Sequence, residues 1–168
     1  DLSGAESLHF TNTINPEVDV VFLCVGHGKS RAFLKTHAFS TATVVIDLSH
    51  DFRSKKNTPF QEYNFTYGLP EYQKDAIRKS NAIANPGCFA TAIQLALLPL
   101  AKTGSIKKAV HINATTGSTG AGAGLSPTGH FSWRQNNVSW YKPFTHQHLV
   151  EIGQTLAHPK IYFLPQRG

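Results

Sequence analysis

"VDVVFLCVGHGKSRAFLKTHAFSTATVVIDLSH", residues 18–50, decides the fold class. Its first part, Val18 to Gly26, is a continuous apolar run rich in valine, which reads as a buried parallel strand. "KSRAFLKTHAF" follows as a helix and "ATVVIDLS" as a second buried strand. Alternation of strand and helix argues an α/β architecture built on a parallel sheet.

Outward from this unit the alternation continues. Residues 50–70 are loop-like, dense in Asn, Pro and Tyr. "EYQKDAIRKS" reads as a short helix and "NAIAN" as a short strand. "FATAIQLALLPLAK" is a long apolar helix that stops at Thr103-Gly104, with glycine where a helix end favours it. "KKAVHINATTG" reads as a strand, "GSTGAGAG" as a glycine loop, "HLVEIGQTLA" as a helix and "KIYFLP" as a last strand. The chain begins at "DLSGAESLHF" without Met and stops within "KIYFLPQRG", so it is expected to be a piece cut from a longer protein at both ends.

Composition narrows the classes. In 168 residues, 40% are apolar, enough for a packed core. The net charge of +6 suits anionic small molecules. The pairs Lys55/Lys56, Arg78/Lys79 and Lys107/Lys108 are scattered, with no basic stripe interleaved with aromatics, which argues against a nucleic-acid partner. No apolar run reaches the ~18 residues of a membrane span, and no signal peptide opens the chain, so a soluble cytoplasmic protein is expected. Cys24 and Cys88 form no CxxC, which argues against a disulfide framework or a zinc site.

"NPGCFATAIQLALLPL", residues 85–100, carries the chemistry. Pro86 fixes φ, and Gly87 permits the positive φ of a sharp turn. Cys88 then stands at a helix start, where unpaired N–H groups and the helix dipole favour an anion and lower a thiol's pKa. Cys88 is either a nucleophile or a small buried hydrophobe. Cys24, inside "VVFLCVG", reads as inert core. A thiolate nucleophile needs a proton carrier, and "FTHQHLVEI" offers His146, His148 and Glu151. His148 and Glu151 are one helical turn apart, so the carboxylate is expected to orient the imidazole and raise its pKa. A His-x-His metal pair or a plain polar helix start are the alternatives, and no further metal ligand of suitable spacing is evident. The glycines of "TTGSTGAGAG" could bring backbone N–H groups to an anion, as could "GHGKS", residues 26–30, which lacks the spacing of a Walker A loop.

Taken together, "VVIDLSHDFR", "YGLPE", "NPGCFAT", "GSTGAGAG", "HQHLVEI" and "FLPQRG" resemble the N-acyl-γ-glutamyl-phosphate reductases of arginine biosynthesis, within the larger group that includes aspartate-semialdehyde dehydrogenase. The resemblance runs from Val18 to Gly168. It implies a partial Rossmann-like parallel sheet plus part of an α+β, glyceraldehyde-phosphate-dehydrogenase-like catalytic domain. Residues 1–87 would be the second half of the NADP-binding domain, and residues 88–168 an incomplete catalytic and substrate domain. It implies NADP(H) as cofactor, an acyl-phosphate substrate, and a homo-oligomer, dimer or tetramer. Residue by residue, it makes Cys88 the nucleophile and one of His148 and His146 the acid/base, with His148 favoured for its partner Glu151. Gly26, His27 and Gly28 resemble the loop that closes on the cofactor, and Ser118, Gly120 and Gly122 the segment beside nicotinamide and substrate. Asn85, Ser118 and Arg167 would contact substrate, and no metal is implied. Two departures stand out. Nothing before Val18 supplies the family's glycine fingerprint, and "STGAGAG" stands where many relatives read Ser-Gly-Ala-Gly-Arg. A reductase of another acyl phosphate, a Cys/His hydrolase and a non-catalytic binding module remain the competing classes.

Overall fold

The computed structural model describes residues 9–122, 124–157 and 160–168. The first unit is a four-stranded parallel sheet. Its strands are β1 (Val20–Leu23), β2 (Val44–Asp47), β3 (Thr66–Tyr67) and β4 (Ala82–Ala84), in the order β1-β2-β4-β3. Helices α1 (Ser30–Thr36) and α2 (Pro70–Arg78) provide two of the crossings. The register places Leu23 beside Asp47, Asp47 beside Ala84, and Ala84 beside Tyr67. The carboxyl ends of all four strands therefore lie level, and the loops that leave them share one edge. Ligands gather at that edge in open parallel sheets.

β2 and β4 are the interior strands, with Val45, Asp47, Ala82 and Ala84 fully buried. β1 differs from the expected doubly buried strand. Among the described residues it pairs on one side only, with Val20 45% and Phe22 61% exposed. An apolar run declares two apolar faces but not how many of them are covered. The same edge position leaves Cys24 exposed, which corrects its assignment to the inert core. β3 lies within the stretch expected to be loop, where Phe65 stacks on Phe52 at 4.0 Å and brings that stretch into the core. No helix among the described residues is long and apolar enough to cross a membrane.

Helix α3 (Cys88–Lys102) leaves β4 and leads to the second sheet. It ends as read, with Gly104 at φ +64° just past it. The second sheet has β5 (Val110–Thr116) parallel to β7 (Ile161–Arg167), with β6 (Ser139–Trp140) antiparallel on the other side of β7. β6 and the short α4 (Phe131–Arg134) were not legible in the sequence. Helix α5 (His148–Leu156) packs on α3. Their core joins Phe89, Ile93 and Leu98 to Ile152, Leu156 and Phe163. At about 25 cal/mol per Å² of apolar surface, this shared core fixes α5, and the histidines at its start, against the first turn of α3.

Candidate active site

β4 ends at Ala84, and Asn85-Pro86-Gly87 delivers Cys88 as the first residue of α3. Cys88 is exposed, so it is not a buried hydrophobe. Among the described residues no side chain caps α3, which leaves the first-turn N–H groups beside Cys88 without a side-chain acceptor. Gly87 serves a different purpose from the one expected. Its φ is −70° and its ψ 151°, an extended geometry that any residue adopts. Glycine is required because a β-carbon there would collide with the His148 imidazole.

Both histidines are buried, His146 at 4% and His148 at 6% exposure. Their rings meet edge to face at 4.5 Å, and Phe89, Tyr141 and Phe163 surround His146. Burial first, and then neighbouring cationic groups, push both imidazoles down to about 4. That reverses the expected upward shift of His148: desolvation acts first and the Arg53 guanidinium second, both downward. Both are neutral at physiological pH. The backbone N–H of His148 donates to His146 Nδ1 at 3.2 Å, so neutral His146 carries its proton on Nε2. Among the described residues, His148 Nδ1 has no hydrogen-bond partner.

Glu151, 3% exposed, is committed elsewhere than the sequence suggests. Its Oε1 accepts from Arg53 Nη1 at 3.1 Å, and its Oε2 from Tyr67 Oη at 2.9 Å and from the Gly87 N–H at 3.0 Å. His148 Nε2 stays 3.9 Å away, beyond hydrogen-bond reach. Arg53, Tyr67 and Gln94 are the residues that sequence reasoning missed. Arg53, also buried, donates Nε to Asn85 O at 2.7 Å and Nη2 to Leu48 O at 2.9 Å. Gln94 donates to Tyr67 Oη at 2.8 Å. One signal was available: Gln94 is a polar residue within the apolar stripe of α3.

Cys88, His146, His148, His27, Gly120 and Arg167 line one cleft of about 440 Å³, with Arg53 at its wall. Arg167 lies over the Tyr141 ring at 4.5 Å, and among the described residues its Nε has no hydrogen-bond partner. Lys142, also unanticipated, lines the same cleft. The other sequence candidates do not line it. Ser118 donates to Gly168 O at 3.1 Å and faces a neighbouring cavity together with Gly122. The Asn85 side chain turns back on Pro86 O at 3.2 Å. Gly26 and Gly28 shape the turn after β1 with left-handed φ of 93° and 78°. The N–H groups of Gly28 and Arg31 are taken by Asp51 at 2.7 and 3.3 Å. His27, Gly120 and Ala121 line the cleft together with Cys88 and are the residues that would flank a nicotinamide there. The start of α1 does not fit the cofactor's phosphates, because Asp51 already fills it.

The semialdehyde dehydrogenase NAD-binding domain family matches residues 2–80, and the semialdehyde dehydrogenase dimerisation domain family matches residues 88–168. The chain belongs to the semialdehyde dehydrogenase family. Among curated members, the N-acetyl-gamma-glutamyl-phosphate reductase of Flavobacterium johnsoniae is 58% identical over all of this chain and 54% of its own length. That of Christiangramia forsetii is 53% identical over all of this chain and 53% of its own. The chain spans about half the length of the curated relatives it matches. Among solved semialdehyde dehydrogenases, aspartate semialdehyde dehydrogenase II from Vibrio cholerae shares the fold, with a TM-score of 0.58 at 20% identity. That match covers 89% of this chain and 51% of the other.

Proposed function

We propose that the whole protein reduces an N-acyl-γ-glutamyl phosphate to the N-acylglutamate semialdehyde and phosphate, using NADP(H), as a step of arginine biosynthesis in the cytoplasm. The observation that carries this reading is the placement of Cys88, at an uncapped helix N-terminus, in one cleft with two neutral imidazoles and Arg167. The names of the curated relatives supply the substrate class. In this reading residues 1–87 are the second half of the dinucleotide-binding domain and residues 88–168 part of the catalytic domain.

Cys88 Sγ, its proton removed by a neutral imidazole, attacks the acyl carbon. A C–S bond forms, the C–O bond to phosphate breaks, and inorganic phosphate leaves. The α3 first-turn N–H groups would stabilise the oxyanion of the tetrahedral intermediate. When bound, the reduced nicotinamide supplies a hydride to the thioester carbon. A histidine gives a proton to the oxygen and takes it back as the C=O forms, so that C–S cleavage returns the thiolate and releases the aldehyde. His148 suits the base role better than His146. A base needs an unshared lone pair, and His146 has spent its own on the His148 N–H. Arg167, with an unpaired Nε, would bind an anionic group of the substrate.

The dimerisation-domain match supports a homo-oligomer, dimer or tetramer, and the exposed aromatics Trp140, Tyr162 and Phe144 on or beside the second sheet agree with self-association. The deciding assay runs the whole protein in reverse with NADP⁺, phosphate and N-acylglutamate semialdehyde. Phosphate-dependent NADPH formation is the expected result. Given the acyl phosphate and NADPH instead, a Cys/His hydrolase would release the N-acylglutamate and phosphate with no NADPH consumed.

A further inference from the structure

We propose that Glu151 is a positioning residue: its carboxylate, neutralised by Arg53, holds the Gly87 N–H and so fixes the turn that presents Cys88. The inference deepens the reductase reading and rests on it for its kinetic consequence, but not for its structural one.

The geometry assigns Glu151 to the backbone of the nucleophile turn. Among the described residues, the three hydrogen bonds to its carboxylate come from Gly87 N, Tyr67 Oη and Arg53 Nη1, at 2.9 to 3.1 Å. Neither imidazole is within hydrogen-bond reach. Arg53 in turn ties together the loops that leave β2 and β4, through Leu48 O and Asn85 O. Asn85 and Gly87 flank Pro86, so Arg53 and Glu151 grip the turn from both sides of its proline. Tyr67 is held as a donor because burial, and then the nearby carboxylate, push its pKa far up, and Gln94 fixes its hydroxyl from α3. The clamp therefore joins three strand ends of the first sheet to α5 of the second unit. A carboxylate buried at 3% exposure persists only with such partners. Positioning of this kind bears on rate, because a displacement of about 1 Å at a reacting atom costs roughly 10²-fold.

Two variants of the whole protein test this. Arg53→Met/Glu151→Gln and Arg53→Met/Glu151→Leu both remove the buried ion pair, a change that folds often tolerate. They differ in that an amide oxygen can still accept the Gly87 N–H and a leucine cannot. Amide hydrogen exchange at Gly87 should be at least about tenfold slower in the Gln variant than in the Leu variant, with Val45 and Phe163 amides unchanged between them as reporters of global stability. The kcat for reduction should be about 10- to 100-fold higher in the Gln variant with KM within about twofold. Equal exchange at Gly87 in the two overturns the proposal. So does equal loss of kcat, which would mean that the charge on Glu151 serves His148. Should the doubly substituted chains not fold, Glu151→Gln alone is expected to keep Gly87 protected, and lost protection would overturn the clamp. The exchange measurement needs no substrate, so it tests the clamp even in a protein without reductase activity.

Discussion

The His148 imidazole fills the space that a β-carbon on Gly87 would occupy. The last residue before the nucleophile helix and the first residue of α5 are thereby in direct contact, although far apart in the chain. Ring and turn can be this close only because position 87 has no side chain.

Gly87→Ala is therefore expected to fail for steric rather than conformational reasons. Overpacking of this kind costs about 1–3 kcal/mol, measurable as a lowered denaturation midpoint, and the displaced ring should take activity with it. Gly87→Ala/His148→Ala should regain most of the stability but none of the rate. If the double variant is no more stable than Gly87→Ala, the contact is not the source of the loss.

The two histidines set a pH window. With both pushed down to about 4 from an ordinary 6.5, the unfolded chain takes up protons first as pH falls. Stability should then be fully present above pH 6.5 and decline from there toward pH 4. The acid limb of kcat/KM should lie near 4 to 5, because a base whose pKa is depressed stays competent to lower pH. Urea unfolding and initial rates across this range check both. An acid limb at 6.5 would show that the working imidazole is solvated.

The roles of the two imidazoles separate kinetically. His148→Asn should lower kcat by about 10² to 10⁴ while Cys88 can still be alkylated. His146→Asn should act more on KM, since this residue donates from Nε2 and does not carry the reacting proton. Reversed losses would exchange the two roles.

Both cysteines are exposed, so iodoacetamide should label Cys24 as well as Cys88 in the native protein. Only modification at Cys88 should abolish activity. Cys24→Ser is expected to remain active and to become inactive after a single alkylation, counted by mass spectrometry. Activity surviving modification of Cys88 would remove it from the chemistry.

The order of elements and the nucleophile turn could be read from the residues alone. Both are local: apolar periodicity marks the strands and helices, and a Pro-Gly turn before an apolar helix places Cys88 whatever surrounds it. The histidine pair was also visible in the residues, as a proton carrier for the thiolate, and the family blocks gave one of the two the acid/base role. What lies beside what depends on how the elements pack. Gly87 looked like a turn residue and proved to be a gap for a ring that comes from α5. Glu151 shares a helical face with His148, yet three donors from elsewhere in the fold claim its oxygens. Arg53 lay in an apparent loop and is buried at 6% exposure because its partners are carbonyls and a carboxylate from three separate segments. Helical spacing says which side chains are within reach of each other. Burial and the competition of all donors for one carboxylate say which of them bind, and both are properties of the folded chain alone.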